Sequence, residues 1–139
     1  MLNQVLEAYP KDVRLVFKHF PLNMHPQARP AAEATLFAGK KGKFWEMHDL
    51  IFKNSSRIGM DLFKELARQI GLDEKALEQS VSTQAFKAEI DKDLLEGQKA
   101  GVTGTPTIFI NGKRVPRRDL ETFKRLIDEI LASKGSAAK

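Results

Sequence analysis

Residues 101–115 read GVTGTPTIFINGKRV, and this stretch constrains the fold more than any other. Asn111-Gly112 is a hairpin signal, because a two-residue type I′ loop needs positive φ at both central positions. The flanking runs predict two short strands, about 106–111 and 113–115. The first of them opens on a proline. Proline has no N–H to give to a ladder, so it sits at the first residue of a strand or on an edge. A cis bond turns the chain sharply and occurs mainly before proline. It can leave the amide and carbonyl of Thr105 open to an extended peptide that adds on like a strand. From the residues alone, both a trans proline opening an edge strand and a cis corner stay open.

The rest of the chain is mostly helical in pattern. LNQVLEAY, residues 2–9, places Leu2, Val5, Leu6 and Tyr9 at helical spacing, and Pro10 ends the run. This helix starts without a cap or lead-in, as if the chain were entered midway through an element. VRLVFKHF, residues 13–20, is a strand candidate with Val13, Leu15 and Phe17 on one face and Arg14, Val16 and Lys18 on the other. PLNMHPQARP carries three prolines and predicts an irregular loop. A helix then follows Pro30 to about Gly39. KFWEMHDLIFK sets Phe44, Trp45, His48, Ile51 and Phe52 on one helical face. MDLFKELARQIG sets Leu62, Phe63, Leu66, Ala67 and Ile70 on another. Asp73 is a candidate N-cap for a helix through Val81. A further helix carries Phe86, Ile90 and Leu94 and ends at Gly101. A last helix, about 119–132, precedes a tail, 133–139, with little to bury and expected to fray. No repeat or linker divides the chain.

A length of 139 residues suits one domain, and 42% apolar with 29% charged residues is ordinary for a globular chain. No apolar run approaches the roughly 20 residues that span a bilayer. The opening MLNQVLEAYPKD has neither the basic start nor the apolar run of a signal peptide. The charge of +5 comes from 23 basic and 18 acidic residues interleaved along helices, which reads as a solvated surface. Neither a nucleic acid nor a membrane is therefore expected as a partner. The compact basic cluster is Lys113, Arg114, Arg117 and Arg118 in NGKRVPRRD, a charged hairpin edge. Zero cysteines exclude a disulfide framework and a thiolate metal site. His19, His25 and His48 match no metal-ligand spacing, so no metal and no cofactor is expected. His48 reads as a partly buried helix histidine and His25 as an exposed loop residue. His19 ends the strand candidate and is a candidate for a groove. GKKGK lacks the spacing of a phosphate loop, and no Ser-His-Asp arrangement is present.

Three segments carry a family resemblance. GVTGTPTIFING after EGQKA, VRLVFKHFPL…HPQARPAAEA, and GKFWEMHDLIF occur in order and resemble DsbA-like thioredoxin-fold proteins. The resemblance runs over about residues 1–132 and implies an α/β, thioredoxin-like fold. Its helical block, about 28–101, would be inserted between a parallel-type strand and a C-terminal hairpin. It also implies that Pro106 is cis and that Gly104, Thr105 and Pro106 face an extended polypeptide, substrate or partner chain. The family's redox cysteines follow its first strand, and both are missing from this chain, so the fold is expected to be incomplete. No residue here is expected to be catalytic, since exchange needs a thiolate. The strand near 13–18 and the hairpin strand would be left with open edges. They would pair directly, take a strand from another chain, gape, or associate as a homo-oligomer. The resemblance thus implies a cysteine-free portion of a thiol–disulfide oxidoreductase. The alternative is a non-catalytic thioredoxin-fold module that binds peptides or proteins. For a full-length form it implies the periplasm or cell envelope.

Overall fold

A computed structural model describes residues 1–137. The chain divides into two compact units, Met1–Phe17 with Gly104–Lys139, and Lys18–Thr103. The second unit is the helical block, and it is wider than the expected 28–101.

The helical unit holds α2 (Ala28–Lys40), α3 (Phe44–Lys53), α4 (Met60–Gln69), α5 (Glu74–Ser82) and α6 (Lys87–Lys99). Its core gathers Ala34, Phe37, Met47, Phe63, Leu66 and Leu77. In α4 the buried residues Leu62, Phe63, Leu66 and Ala67 recur at helical spacing, as the pattern predicts. Asp73 caps α5 by accepting the N–H groups of Lys75 and Ala76 at 2.9 and 3.1 Å. In α3 the buried face differs from the expected one. Met47 and Ile51 point inward, whereas Trp45 and Phe52 are 40% and 64% exposed. Residues 47 and 51 are one turn apart, and the expected face was too wide to fit one core. Glu33 of α2 is buried, and its Oε2 accepts the Phe86 N–H at 2.9 Å, where α6 begins. Burial pushes the Glu33 carboxyl up, and this N–H partly offsets it.

The other unit holds α1 (Leu2–Ala8), β1 (Phe109–Ile110), β2 (Lys113–Arg114) and α7 (Leu120–Ala137). Val5, Val115, Phe123 and Ile127 form its core, and α1 packs on α7. The strands pair antiparallel, Phe109 with Arg114 and Ile110 with Lys113. Asn111 and Gly112 have φ of 48° and 81°, the two positive values that a type I′ loop requires. Asp119 starts α7 by accepting the Thr122 N–H at 2.8 Å and the Thr122 hydroxyl at 2.9 Å. Those two donors, with Arg117 nearby, hold its carboxyl below the usual range.

Two expectations change. The strand candidate 13–20 forms no strand, and the ladder between β1 and β2 is the only strand pairing among the described residues. A strand is defined by its partner, and neither flank of this segment has one. The parallel-type strand of the expected fold is therefore not formed, and the sheet is small and antiparallel. Helix α7 also continues to Ala137, past the expected end at 132, because Ala132, Ser133 and Lys134 do not break a helix. The remainder of the expected frayed tail, 138–139, lies outside the described residues.

Candidate functional site

The corner at 104–106 is built by local chemistry. The Thr105–Pro106 bond is cis. Thr107 donates its hydroxyl to the Gly104 carbonyl at 2.6 Å, which closes the turn before the strand. Arg118 Nη1 donates to the Pro106 carbonyl at 3.1 Å, so the loop before α7 holds the far side of the corner. Thr105 lies between these two bonds and is exposed. Among the described residues its N–H and C=O have no hydrogen-bond partner. Gly104, Thr105 and Pro106 are thus brought together as one exposed corner with an open peptide group at its centre.

His19 belongs to the helical unit and is 7% exposed. Its backbone N–H donates to Asp93 Oδ2 at 3.0 Å, and its ring lies edge-on to Phe44 at 6.1 Å. Burial lowers its pKa; Asp93 and Glu89 oppose that shift and His48 adds to it. The imidazole is therefore kept neutral to lower pH than an exposed one. His48 stands in an aromatic row, tilted on Phe52 at 4.6 Å and edge-on to Trp45 at 5.2 Å.

The basic cluster does not act as one free patch. Arg118 is engaged at the Pro106 carbonyl, and Arg117 pairs with Asp119 at 3.4 Å. The sequence held a signal for the corner in Thr-Pro, but none for the arginine that braces it.

A family model described as the DSBA-like thioredoxin domain matches residues 11–128. The chain belongs to this family. The DSBA-like match takes in the extended segment, the helical unit, the corner and the first half of α7. The family is one of thiol–disulfide oxidoreductases, and this member contains no cysteine in its 139 residues. Among curated relatives, the chain is 35% identical over 104 residues to Na(+)/H(+) antiporter NhaA 1 of Salinispora arenicola, covering 74% of this chain and 16% of that protein. It is 32% identical over 116 residues to Na(+)/H(+) antiporter NhaA 1 of Mycobacterium sp. (strain KMS), covering 81% of this chain and 19% of the relative. The Na(+)/H(+) antiporter NhaA of Herminiimonas arsenicoxydans is 29% identical over 104 residues, 75% of this chain and 16% of the relative. The chain therefore spans less than a fifth of the length of these relatives. No solved structure matches it.

Proposed function

We propose that this chain is the polypeptide-holding portion of a DsbA-like thiol–disulfide oxidoreductase. Gly104, Thr105 and Pro106 face an extended substrate, and the thiol step is absent from these residues. One observation carries the reading: an exposed Thr105 whose N–H and C=O are open, braced on one side by Thr107 and on the other by Arg118. Such a peptide group binds another main chain as a strand edge does, with little regard for side chains. Thiol–disulfide exchange needs a thiolate, and no side chain here supplies one. In a full-length form this reading places the domain in the periplasm or cell envelope. Among the described residues, no helix is long and apolar enough to cross a membrane.

The test uses a reduced and alkylated, fluorescein-labelled polypeptide followed by anisotropy. Thr105→Pro removes one donor worth about 0.5–1.5 kcal/mol, so binding weakens roughly 2- to 12-fold. Arg118→Ala, which frees the Pro106 carbonyl, weakens it in the same direction. Unchanged binding in both variants would falsify the corner as the site. The lack of cysteine favours a second reading, a non-catalytic binding module with the same corner. The coding sequence upstream separates the two. An in-frame Cys-x-x-Cys supports the oxidoreductase portion, and an in-frame stop behind a ribosome site supports the module.

A further inference from the structure

Arg118 brings more to the corner than one hydrogen bond requires. Its Nη1 donates to the Pro106 carbonyl at 3.1 Å, the next carbonyl along the chain from that of Thr105. A guanidinium carries five N–H donors in one plane, so four remain. Among the described residues these have no partner, and no carboxylate pairs with Arg118. Other arginines of the chain are spent differently. Arg29, Arg57, Arg68, Arg117 and Arg125 each meet a carboxylate. Arg118 meets a neutral oxygen and keeps its whole charge, on an exposed residue.

The neighbouring sequence leaves that charge unopposed. Residues 104–118 contain Lys113, Arg114, Arg117 and Arg118 and no acidic residue. The next acid, Asp119, is taken by Arg117 at 3.4 Å and by the Thr122 N–H and hydroxyl. Lys113 and Arg114 are exposed and add positive charge to the same hairpin. Geometry matters as much as charge. An ordinary surface arginine gives up side-chain freedom when it takes a carboxylate, which is one reason exposed ion pairs contribute little. Here the Pro106 carbonyl already restrains the side chain, and a planar group held at one nitrogen has the direction of its other donors set. Two parallel N–H donors of such a fork match the two oxygens of a carboxylate. A lysine would reach the same carbonyl only as a point charge.

We propose that Arg118 makes the Thr105 corner selective for acidic polypeptides, by taking the carboxylate of a Glu or Asp in the extended segment that pairs with Thr105. This rests on the corner being a polypeptide site and adds the class of sequence it prefers. Main-chain bonds to Thr105 hold any extended segment. The Arg118 fork then favours the one that sets an acid beside those bonds, and the positive hairpin disfavours one that sets a lysine there.

The probes are three fluorescently labelled peptides, acetyl-Gly-Thr-Val-Xaa-Val-Thr-Gly-amide, with Glu, Gln or Lys at Xaa. Anisotropy with the intact chain reads their affinities at low ionic strength. The Glu peptide binds about three- to fivefold more tightly than the Gln peptide, the upper end for an exposed pair, and the Lys peptide binds more weakly than either. The Glu advantage shrinks in about 0.5 M salt, where charges are screened within a few ångströms. Arg118→Gln, which keeps an N–H donor and loses the charge, abolishes the Glu advantage, and Arg118→Lys retains part of it. The ratio between peptides is the readout, so a weakened brace at Pro106 does not imitate the result. Thr105→Pro weakens all three peptides alike. Equal binding of the Glu and Gln peptides, with Thr105→Pro still weakening both, overturns the acidic preference and leaves the corner standing. No effect of Thr105→Pro on any peptide overturns the corner and this proposal together. A Glu advantage that survives Arg118→Gln belongs to another basic residue and overturns the role given to Arg118.

Discussion

Tyr9 is the single tyrosine of the chain, and its hydroxyl donates to Asp128 Oδ1 at 2.6 Å, tying the end of α1 to α7. That bond, then burial, then the charge of Asp128 push the phenol from 10.0 up to about 12. The folded state therefore holds the proton more tightly than the unfolded one. The contribution to stability is complete below pH 10.0 and is lost as pH rises towards about 12. A phenolate absorbance titration of the folded chain is expected to show one midpoint near 12, and Asp128→Asn should bring it down towards 10.0. A wild-type midpoint near 10.0 would mean that the bond does not form in solution. At this scale Asn111-Gly112 was legible, because that dipeptide restricts its own backbone, whereas the Thr105-Pro106 dipeptide alone left cis and trans open. The Arg118 contact with Pro106 and the Tyr9 contact with Asp128 were not legible. No local rule links residues 12 and 119 positions apart.

Helix α6 contains Gly97 in its last turn, where glycine costs up to about 1 kcal/mol relative to alanine. Packing explains it. A Cβ at Gly97 would lie 2.7 Å from Cδ2 and 2.8 Å from Cε2 of Phe20. Overpacking of this kind costs about 1–3 kcal/mol, against the roughly 1 kcal/mol that alanine gains in propensity. Gly97→Ala is therefore expected to lower stability in urea denaturation, by about 1 kcal/mol, and Gly97→Ala with Phe20→Leu should recover part of the loss. A more stable single variant would show that the Phe20 ring moves aside freely. Helix boundaries were largely legible, since caps such as Asp73 and breakers such as Pro10 act within a turn. The segment 13–20 alternates as a strand does yet forms none, because alternation reports only which side chains turn inward. Whether a strand forms is decided by a neighbouring edge. Helix α3 shows the same limit, for its apolar residues exceed what one core can bury, and only the neighbours select Met47 and Ile51 over Trp45 and Phe52.

Across the whole molecule, each compact unit has its own apolar cluster. Phe63 is fully buried in the helical unit, among side chains from α2, α3, α4 and α5. Phe63→Ala is expected to cost about 3–5 kcal/mol, with exchange protection lost in those four helices. A cost under about 1 kcal/mol would mean that this cluster collapses around the gap. The sequence by itself determined the order of helices, the hairpin and its turn, and the lack of any thiol chemistry. Each depends on rules that act over a few residues, or on composition. Only the tertiary structure decided that residues 13–17 stay unladdered and that Arg118 braces Pro106. These follow from which surfaces meet when distant segments pack, and spacing along the chain does not encode that.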